Sequence, residues 1–353
     1  MVTGLKRNPS KYYLKGALYL GRFALTLSAV LFVINVTFSS FSIAQIVFLS
    51  KNNEYKAYGS LSDFNFAAAG DWGCESTAYD TLNNIVNKNP ELVIGLGDFS
   101  YNDTADCWFE MIAPLDDKMK ITIGNHDDET TELLDQYMSH FNLTKQFYSF
   151  EYQNVHFTVI STELLADSEA IEQYEFVNAD LASAASNPNI DWIVIFYHKN
   201  AYISPDNTGG DSPPRRVEIA FRDAYHPLFE KYEVDLVLQG HAHHYERSYP
   251  IRYNNANSSV PIITDAHTNN YSDPDGQIFV TVGTGGKGGE FYFLTKEPYV
   301  VSQDELQFGF LNIDVIDNGR TFNATFYSNY EGIKDQFSIT KKGAAPANIE
   351  ETP

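Results

Sequence analysis

The chain has 353 residues, 43% of them hydrophobic and 14% aromatic, so it can build one large domain with a buried core, and a disordered chain is excluded. Its formal net charge is −22, which excludes a general nucleic-acid binder because such proteins grip phosphate backbones with an excess of Lys and Arg. The acidity does not exclude a phosphate-ester substrate, since bound cations can reverse the sign of the field at a local site.

The first fifty residues indicate export. Residues 1–22 form a basic leader, which is expected to stay in the cytoplasm. Residues 23–50 carry no charged side chain, and an apolar run of this length can cross a bilayer core of about 30 Å as a transmembrane anchor. A cleavable signal peptide ending near Ser42-Ile43-Ala44 is the alternative. Both interpretations place the remainder outside the cytoplasm, either membrane-anchored or secreted.

The remaining sequence divides into a linker, one domain and a tail. Residues 51–62 are polar and predict the linker, residues 63–340 predict a single globular domain, and residues 341–353 predict a disordered tail. In the first half of the domain, apolar runs and helical spacing predict strands over 64–69, 92–96 and 119–123 and helices over 79–86, 104–112 and 130–141.

The second half of the domain shifts towards strands. We predict a hairpin over 147–152 and 155–161, helices over 171–185 and 215–232, and strands over 192–197, 235–239, 278–282, 308–315, 321–328 and 336–340. Strands that alternate with helices and then give way to further strands predict two packed sheets with helices on the outside, in the α+β or α/β class.

Metal-capable side chains follow five of the predicted strands directly. They are Asp71, Asp98, Asn125, His198 and His241. Open α/β sheets bind ligands beyond the carboxyl ends of their strands, so these side chains are expected to converge. Their oxygen and nitrogen atoms, without thiolate, suit Fe, Zn or Mn. Two such metals need one shared ligand, usually a carboxylate, and Asp98 is central in the set.

The motifs around these residues form a specific series. In chain order they read Gly70-Asp71-Trp72-Gly73, Gly97-Asp98-Phe99-Ser100-Tyr101, Gly124-Asn125-His126-Asp127, Val194-Ile195-Phe196-Tyr197-His198 and Gly240-His241-Ala242-His243. Each motif alone is common in turns. The whole series, over residues 64–290, resembles the calcineurin-like metallophosphoesterase superfamily. That resemblance implies a four-layer α/β/β/α sandwich of two mixed sheets and makes residues 63–340 the catalytic domain.

One difference from most members of the superfamily narrows the resemblance to a single group within it. Most members of the superfamily carry a His two residues after the first Asp, whereas this chain has Gly73 there and Tyr101 in the second motif. In this exchange the chain resembles the purple acid phosphatases, in which a tyrosinate binds ferric iron. The runs 240–248 and 282–286 are similar to that family too. The resemblance implies a ferric site of Asp71, Tyr101 and His243, a divalent Fe, Zn or Mn site of Asn125, His198 and His241, and Asp98 as the bridge.

The same resemblance implies hydrolysis of small phosphate monoesters, in the manner of an acid phosphatase, with a metal-bound hydroxide attacking phosphorus in line. Asp98 and His126 would be catalytic, and Asn125 and His126 would bind substrate. A phosphodiesterase or nucleotidase with the same metals is the alternative, and an inactive binding module is a third reading. No nucleic acid is expected as a stable partner, the membrane is expected only through an uncleaved N-terminal segment, and the oligomeric state stays open.

The chain departs from the family pattern in two places. Asp127 stands where many purple acid phosphatases have Glu, and residues 199–211 lack the further His of plant enzymes. The general acid is therefore open, with Lys199, Tyr202 and His244 as candidates beside His126.

The chain has two cysteines, Cys74 and Cys107, which are too few for a disulfide framework and lack a zinc-binding spacing. They follow the first and second strands, so in an exported protein we predict a single bridge between them at the rim of the site.

Overall fold

The computed structural model describes residues 61–166, 169–205, 216–288, 293–305 and 307–342. The predicted leader, the 23–50 segment, residues 51–60 of the linker and residues 343–353 of the tail lie outside these ranges. Within the ranges described, no helix is long and apolar enough to span a membrane. The membrane anchor and the signal peptide therefore stay predictions.

The strands are β1 Phe64–Ala69, β2 Leu92–Gly95, β3 Met119–Ile121, β4 Tyr148–Tyr152, β5 Val155–Val159, β6 Trp192–Tyr197, β7 Leu236–Gln239, β8 Tyr245–Ser248, β9 Ile251–Arg252, β10 Ile262–Ile263, β11 Asn270–Ser272, β12 Ile278–Val282, β13 Val300–Asp304, β14 Gly309–Ile316, β15 Thr321–Ser328 and β16 Gly332–Thr340. The α-helices are α1 Ser76–Lys88, α2 Asp106–Ile112, α3 Thr131–His140, α4 Ala170–Ser186 and α5 Arg216–Lys231. Two short 3₁₀ turns cover Asp116–Lys118 and Glu163–Ala166.

These strands form two mixed sheets of seven strands each. The first has the order β11-β16-β15-β14-β1-β2-β3 and the second has the order β13-β8-β12-β7-β6-β5-β4. β1, β2 and β3 run parallel in the first sheet, and β5, β6, β7 and β12 run parallel in the second. The remaining strands β9 and β10 form a short antiparallel pair.

Three apolar layers hold these sheets and helices together. Side chains such as Phe66 and Leu238 fill the space between the two sheets. The helices α1 to α3 pack on the outer face of the first sheet, and α4 and α5 pack on the outer face of the second. The predicted four-layer α/β/β/α sandwich is therefore confirmed.

The local sequence explains the central strands and the helix ends. In β1, Phe66 faces the space between the sheets while Ala67 faces the helices, so a strand buried on both sides reads as a continuous apolar run. The helix α1 is capped by Asn89, which has a left-handed backbone and donates its N–H to carbonyl groups of the last turn. The helix α3 begins after Thr130, whose hydroxyl accepts a hydrogen bond from the N–H of Leu133.

The structure adds strands that the sequence pattern did not predict. The strand β8 is buried although it contains Glu246 and Arg247, and β13 pairs with it at the edge of the second sheet. Arg247 Nε and Nη2 donate to the two carboxylate oxygens of Asp335 at 2.6 and 2.9 Å. Because this buried ion pair replaces an apolar contact, hydrophobic periodicity could not reveal the strand.

The carboxyl ends of the parallel strands of both sheets lie at one edge. The N–H of Gly70, directly after β1, donates to the carbonyl of Val282 at the end of β12 over 2.9 Å. The N–H of Asp71 donates to the carbonyl of Gly97 over 3.0 Å, and the N–H of Gly240 donates to that of His198 over 2.9 Å. The loops that follow the strands of both sheets are thereby hydrogen-bonded to one another.

Candidate metal centre

The glycines of these loops make the close approach of the chain segments possible. Gly97 has φ +85°, and a Cβ there would lie 2.6 Å from His198 Nδ1 and 2.8 Å from the nitrogen of Gly124. A Cβ on Gly124 would lie 2.3 Å from Asp98 Oδ1. Any larger residue would push apart the side chains that the loops bring together.

A first group of donors surrounds the phenol oxygen of Tyr101. This oxygen lies 2.9 Å from His243 Nε2 and donates towards Asp71 Oδ1 at 3.1 Å. His243 Nε2 and Asp71 Oδ1 are themselves 3.3 Å apart. The structure thus brings together the three residues that the family resemblance assigns to a ferric site.

A second group of donors lies beside the first. Atoms of Asp98, His198 and His241 that can bind a metal all lie within 4.8 Å of one another. His198 Nε2 is 3.2 Å from Asp98 Oδ2 and 3.2 Å from His241 Nδ1. Asn125, on the neighbouring loop, buries its amide oxygen without a hydrogen-bond partner among the residues described. Such an orphaned acceptor suits a cation, because an unsatisfied buried oxygen otherwise costs about 1–3 kcal/mol.

Asp98 joins the two groups. Its Oδ2 lies 3.3 Å from the phenol oxygen of Tyr101 and 3.2 Å from His198 Nε2. Its Oδ1 accepts the backbone N–H of His126 at 2.8 Å, which fixes the carboxylate in place. One carboxylate in contact with both donor groups is the arrangement that a pair of metals requires.

Two further contacts orient the donors. The Nδ1 of His198 lies 2.8 Å from the carbonyl oxygen of Leu96, so this nitrogen donates and Nε2 is left as the metal-binding atom. Asp127 accepts the backbone N–H groups of Asp98, Phe99 and Gly124 at 2.8 to 2.9 Å. It therefore clamps the loops after β2 and β3 to each other. Sequence reasoning noted Asp127 only as a departure from Glu and missed this role.

The electrostatics of the site also favour added positive charge. Burial raises the pKa of the Tyr101 phenol, and the neighbouring carboxylates of Asp71 and Asp98 raise it further, so the phenolate needs a cation beside it. Burial lowers the pKa of His198, but Asp98 outweighs it and raises the value to about 10. Burial raises the pKa of Asp98, yet attraction to His198 holds it well below the usual range.

Four of the donor residues have a strained backbone. Asp71, Asp98, Tyr101 and His241 have φ values of 59°, 54°, 54° and 69°, in the left-handed region that residues with a Cβ rarely adopt. Strain of this kind persists where surrounding contacts over-determine the conformation and is concentrated at functional sites. The oxygen and nitrogen donors, the orphaned amide of Asn125 and this strain together fit a site for two metal ions.

His126 stands beside the first donor group. Its ring centroid is 4.6 Å from that of Tyr101, and its side chain is 40% exposed. The Nδ1 atom lies 2.5 Å from Glu129 Oε1, a partner that sequence reasoning did not identify. The ring is therefore oriented by Glu129 and remains accessible to a ligand.

The other candidates for the general acid have different surroundings. Tyr202 is buried with its hydroxyl 2.7 Å from His226 Nδ1, and its ring packs on Phe279. His244 is buried against the ring of Phe293. Lys199 pairs with Glu163 at 2.5 Å. His126, by contrast, has a ring contact with the predicted metal ligand Tyr101.

Cys74 and Cys107 form a disulfide bond. It ties the loop after β1 to the start of α2 and closes a sequence separation of 33 residues. A disulfide of this kind is typical of proteins outside the cytoplasm, which agrees with the export predicted from the sequence.

Replacing both cysteines with serine should lower the free energy of unfolding by about 3–4 kcal/mol, the loop-closure entropy expected for a loop of this length. Chemical denaturation of the double variant and the oxidised protein measures this difference. Unchanged stability would show that the bridge does not constrain the unfolded chain.

The fold and the donor set fit a domain that can hold two metal ions at the strand ends. The family model of the calcineurin-like phosphoesterases matches residues 64–245, more than half of the chain, and the chain belongs to this family.

Within the family the similarity is to purple acid phosphatases. Purple acid phosphatase 22 of Arabidopsis thaliana is 27% identical over 287 residues, which cover 75% of this chain and 61% of that protein. The structure of a purple acid phosphatase from yellow lupin (Lupinus luteus) seeds aligns with a TM-score of 0.68 at 23% identity, covering 81% of this chain and 55% of the lupin chain. The chain thus spans less than two thirds of the length of both proteins.

The fold also occurs in a protein with a different description. GAP50, described as the anchor in the inner membrane complex of Plasmodium, aligns with a TM-score of 0.56 at 16% identity and covers 81% of this chain and 91% of that one. The fold alone therefore does not determine function, and the donor set has to carry the functional argument.

Proposed function

We propose that this protein hydrolyses phosphate monoesters at a dinuclear metal centre. The observation that carries the proposal is the Asp98 carboxylate, which touches the phenol of Tyr101 on one side and the imidazole of His198 on the other. A protein that used this fold only for binding would have no need for two donor groups sharing one carboxylate.

The donor chemistry also suggests the metals. Asp71, Tyr101 and His243 offer a carboxylate, a phenol and an imidazole, and the phenolate form suits ferric iron. Asn125, His198 and His241 offer an amide and two imidazoles, which suit divalent Fe, Zn or Mn. When bound, two such cations supply the charge that activates water and neutralises a phosphoryl group.

The side chains of the site supply orientation and a proton. Asn125 and His126 lie on the loop after β3 and would contact the phosphate oxygens of a bound substrate. Glu129 holds His126 by Nδ1, so Nε2 is the nitrogen that would donate a proton to the leaving oxygen. The buried surroundings of Tyr202 and His244 support His126 over them as the general acid.

The setting of the reaction follows from the disulfide. The bond between Cys74 and Cys107 supports a catalytic domain outside the cytoplasm, where small phosphate esters would reach it. The formal charge of −22 supports small esters over nucleic acid as substrates.

Metal analysis, a visible spectrum and two rates test the proposal on one purified sample. We expect two metals per chain, a band from tyrosinate-to-iron charge transfer, and faster hydrolysis of an aryl phosphate monoester than of the matching diester. A reversed ratio of rates would support a phosphodiesterase instead. Protein that takes up no metal and hydrolyses neither ester would contradict the proposal.

A further inference from the structure

The loop after β12 packs directly on the first donor group. The backbone N–H groups of Gly285 and Lys287 donate to the carbonyl oxygens of Gly70 and Asp71, each over 2.8 Å. A Cβ on Gly283 would lie 2.9 Å from Asp71 Oδ2. The position of Lys287 is therefore set by the same backbone that carries Asp71.

The side chain of Lys287 covers the ring of Tyr101. Its ammonium nitrogen lies 4.6 Å from the ring centroid, within the distance of a cation–π contact. The ammonium group also lies 3.5 Å from Glu75 Oε1, and the Lys287 side chain is only 31% exposed. A cation is thus held against a predicted metal ligand by a fixed backbone on one side and a carboxylate on the other.

A positive charge beside the ring changes the properties of Tyr101 as a metal ligand. The charge of Lys287 lowers the energy of the phenolate electrons that are donated to iron. The attraction is strong because the charge lies beside the ring and is screened less than it would be in bulk water. Transfer of an electron from the phenolate to the metal then requires more energy, and bound ferric iron becomes easier to reduce. Neither effect would follow if Lys287 only filled space at the rim.

We infer that Lys287 is a positioning residue that tunes the electron donation of Tyr101 to the metal at the first site. The inference rests on the proposed function, because it needs iron bound by Tyr101. It adds to that proposal a residue outside the metal ligands, whose charge controls the colour and the reduction potential of the centre.

The test compares iron-loaded wild-type protein with Lys287→Gln. We expect the charge-transfer band of the variant to move to longer wavelength and its reduction midpoint to fall, with metal content unchanged. Lys287→Arg keeps the charge and should hold the band near its wild-type position. Glu75→Gln removes the opposing carboxylate and should move the band to shorter wavelength.

Lys88 provides a matched control. Its ammonium nitrogen lies 5.7 Å from the ring centroid of Tyr327 and 3.3 Å from Asp314 Oδ1, and its side chain is 27% exposed. Lys88→Gln thus removes a similar cation from beside a similar ring, but Tyr327 is not a predicted metal ligand. The charge-transfer band of this variant should therefore not move.

The outcomes separate this inference from the proposed function. A wild-type band and monoester hydrolysis, with the band unmoved in fully loaded Lys287→Gln, would overturn the role of Lys287 and leave the hydrolase proposal standing. Iron-loaded wild-type protein without any band would overturn both the role of Lys287 and the assignment of Tyr101 as a ligand.

Discussion

Replacing Asp98 with asparagine should abolish loading of two metals and lower the rate of monoester hydrolysis by roughly a thousandfold or more. Asp98 is the carboxylate that contacts both donor groups, through Tyr101 and His198. Asparagine keeps the size of the side chain and removes its charge, so the loss reports on the bridge itself. Metal analysis and steady-state rates of the variant measure both effects.

A partly buried carboxylate elsewhere, that of Asp180, controls for a general loss of stability. Asp180 accepts hydrogen bonds from Ser149 Oγ, His156 Nε2 and Thr158 Oγ1 at 2.6, 2.9 and 2.7 Å, away from the metal-site loops. Asp180→Asn should lower the melting temperature and keep two metals per chain. Two metals per chain in Asp98→Asn would contradict the bridging role.

Thermal melting gives the same comparison a second readout. A metal that binds only the folded protein raises its melting temperature, and a chelator removes that gain. The wild-type protein should therefore melt at lower temperature after chelation, whereas Asp98→Asn should show little change. A chelator that leaves the wild-type melting temperature unmoved would argue against a loaded site.

The sequence predicted that most of the candidate donors converge, because their positions follow from strand geometry. Asp71 and Asp98 follow parallel neighbours in one sheet, and His198 and His241 follow parallel neighbours in the other. Parallel strands that end together must bring the next residues together. Tyr101 and His243 lie further into the loops, and their placement was reached through the resemblance to a family.

Contacts between loops could not be predicted in the same way. Asp127 clamps two loops through three backbone N–H groups, and no sequence pattern marks an acceptor of that kind. Lys287 meets Tyr101 across 186 residues of chain, and only the folded loops place the two side chains together. The strand β8 was missed because its buried Arg247 looks like a surface residue in one dimension.

The second large effect concerns stability in acid. His226 on α5 is fully buried, its Nδ1 lies 2.7 Å from the hydroxyl of Tyr202, and its Nε2 lies 3.0 Å from Gln277 Oε1. The tyrosine hydroxyl donates to Nδ1 and Nε2–H donates to the amide, so the ring is held neutral. Burial and the charge of Arg222 together lower the pKa of His226 to about 3, although the hydrogen bond to Gln277 opposes them.

This depressed pKa makes the protein less stable as the pH falls. Between about pH 6.5 and 3 the unfolded chain binds a proton at this position and the folded chain does not, so acid favours unfolding. The contribution of His226 to the free energy of unfolding is fully present above pH 6.5. It is lost progressively at lower pH, and the loss reaches about 3 kcal/mol at pH 4. In His226→Gln, the fall in the free energy of unfolding between pH 7 and pH 4 should be smaller by about this amount.

His267→Gln controls for the removal of an imidazole as such, because the His267 side chain is 79% exposed. It should change the fall in the free energy of unfolding between pH 7 and pH 4 much less than His226→Gln does. The metal site is the same in all three proteins, so its own pH dependence cancels when the differences between pH 7 and pH 4 are compared. If the free energy of unfolding fell equally in the wild type and in His226→Gln, His226 would have to gain its proton without leaving the core. His226 would then not set the lower pH limit of the fold, and the buried carboxyl groups would have to account for it.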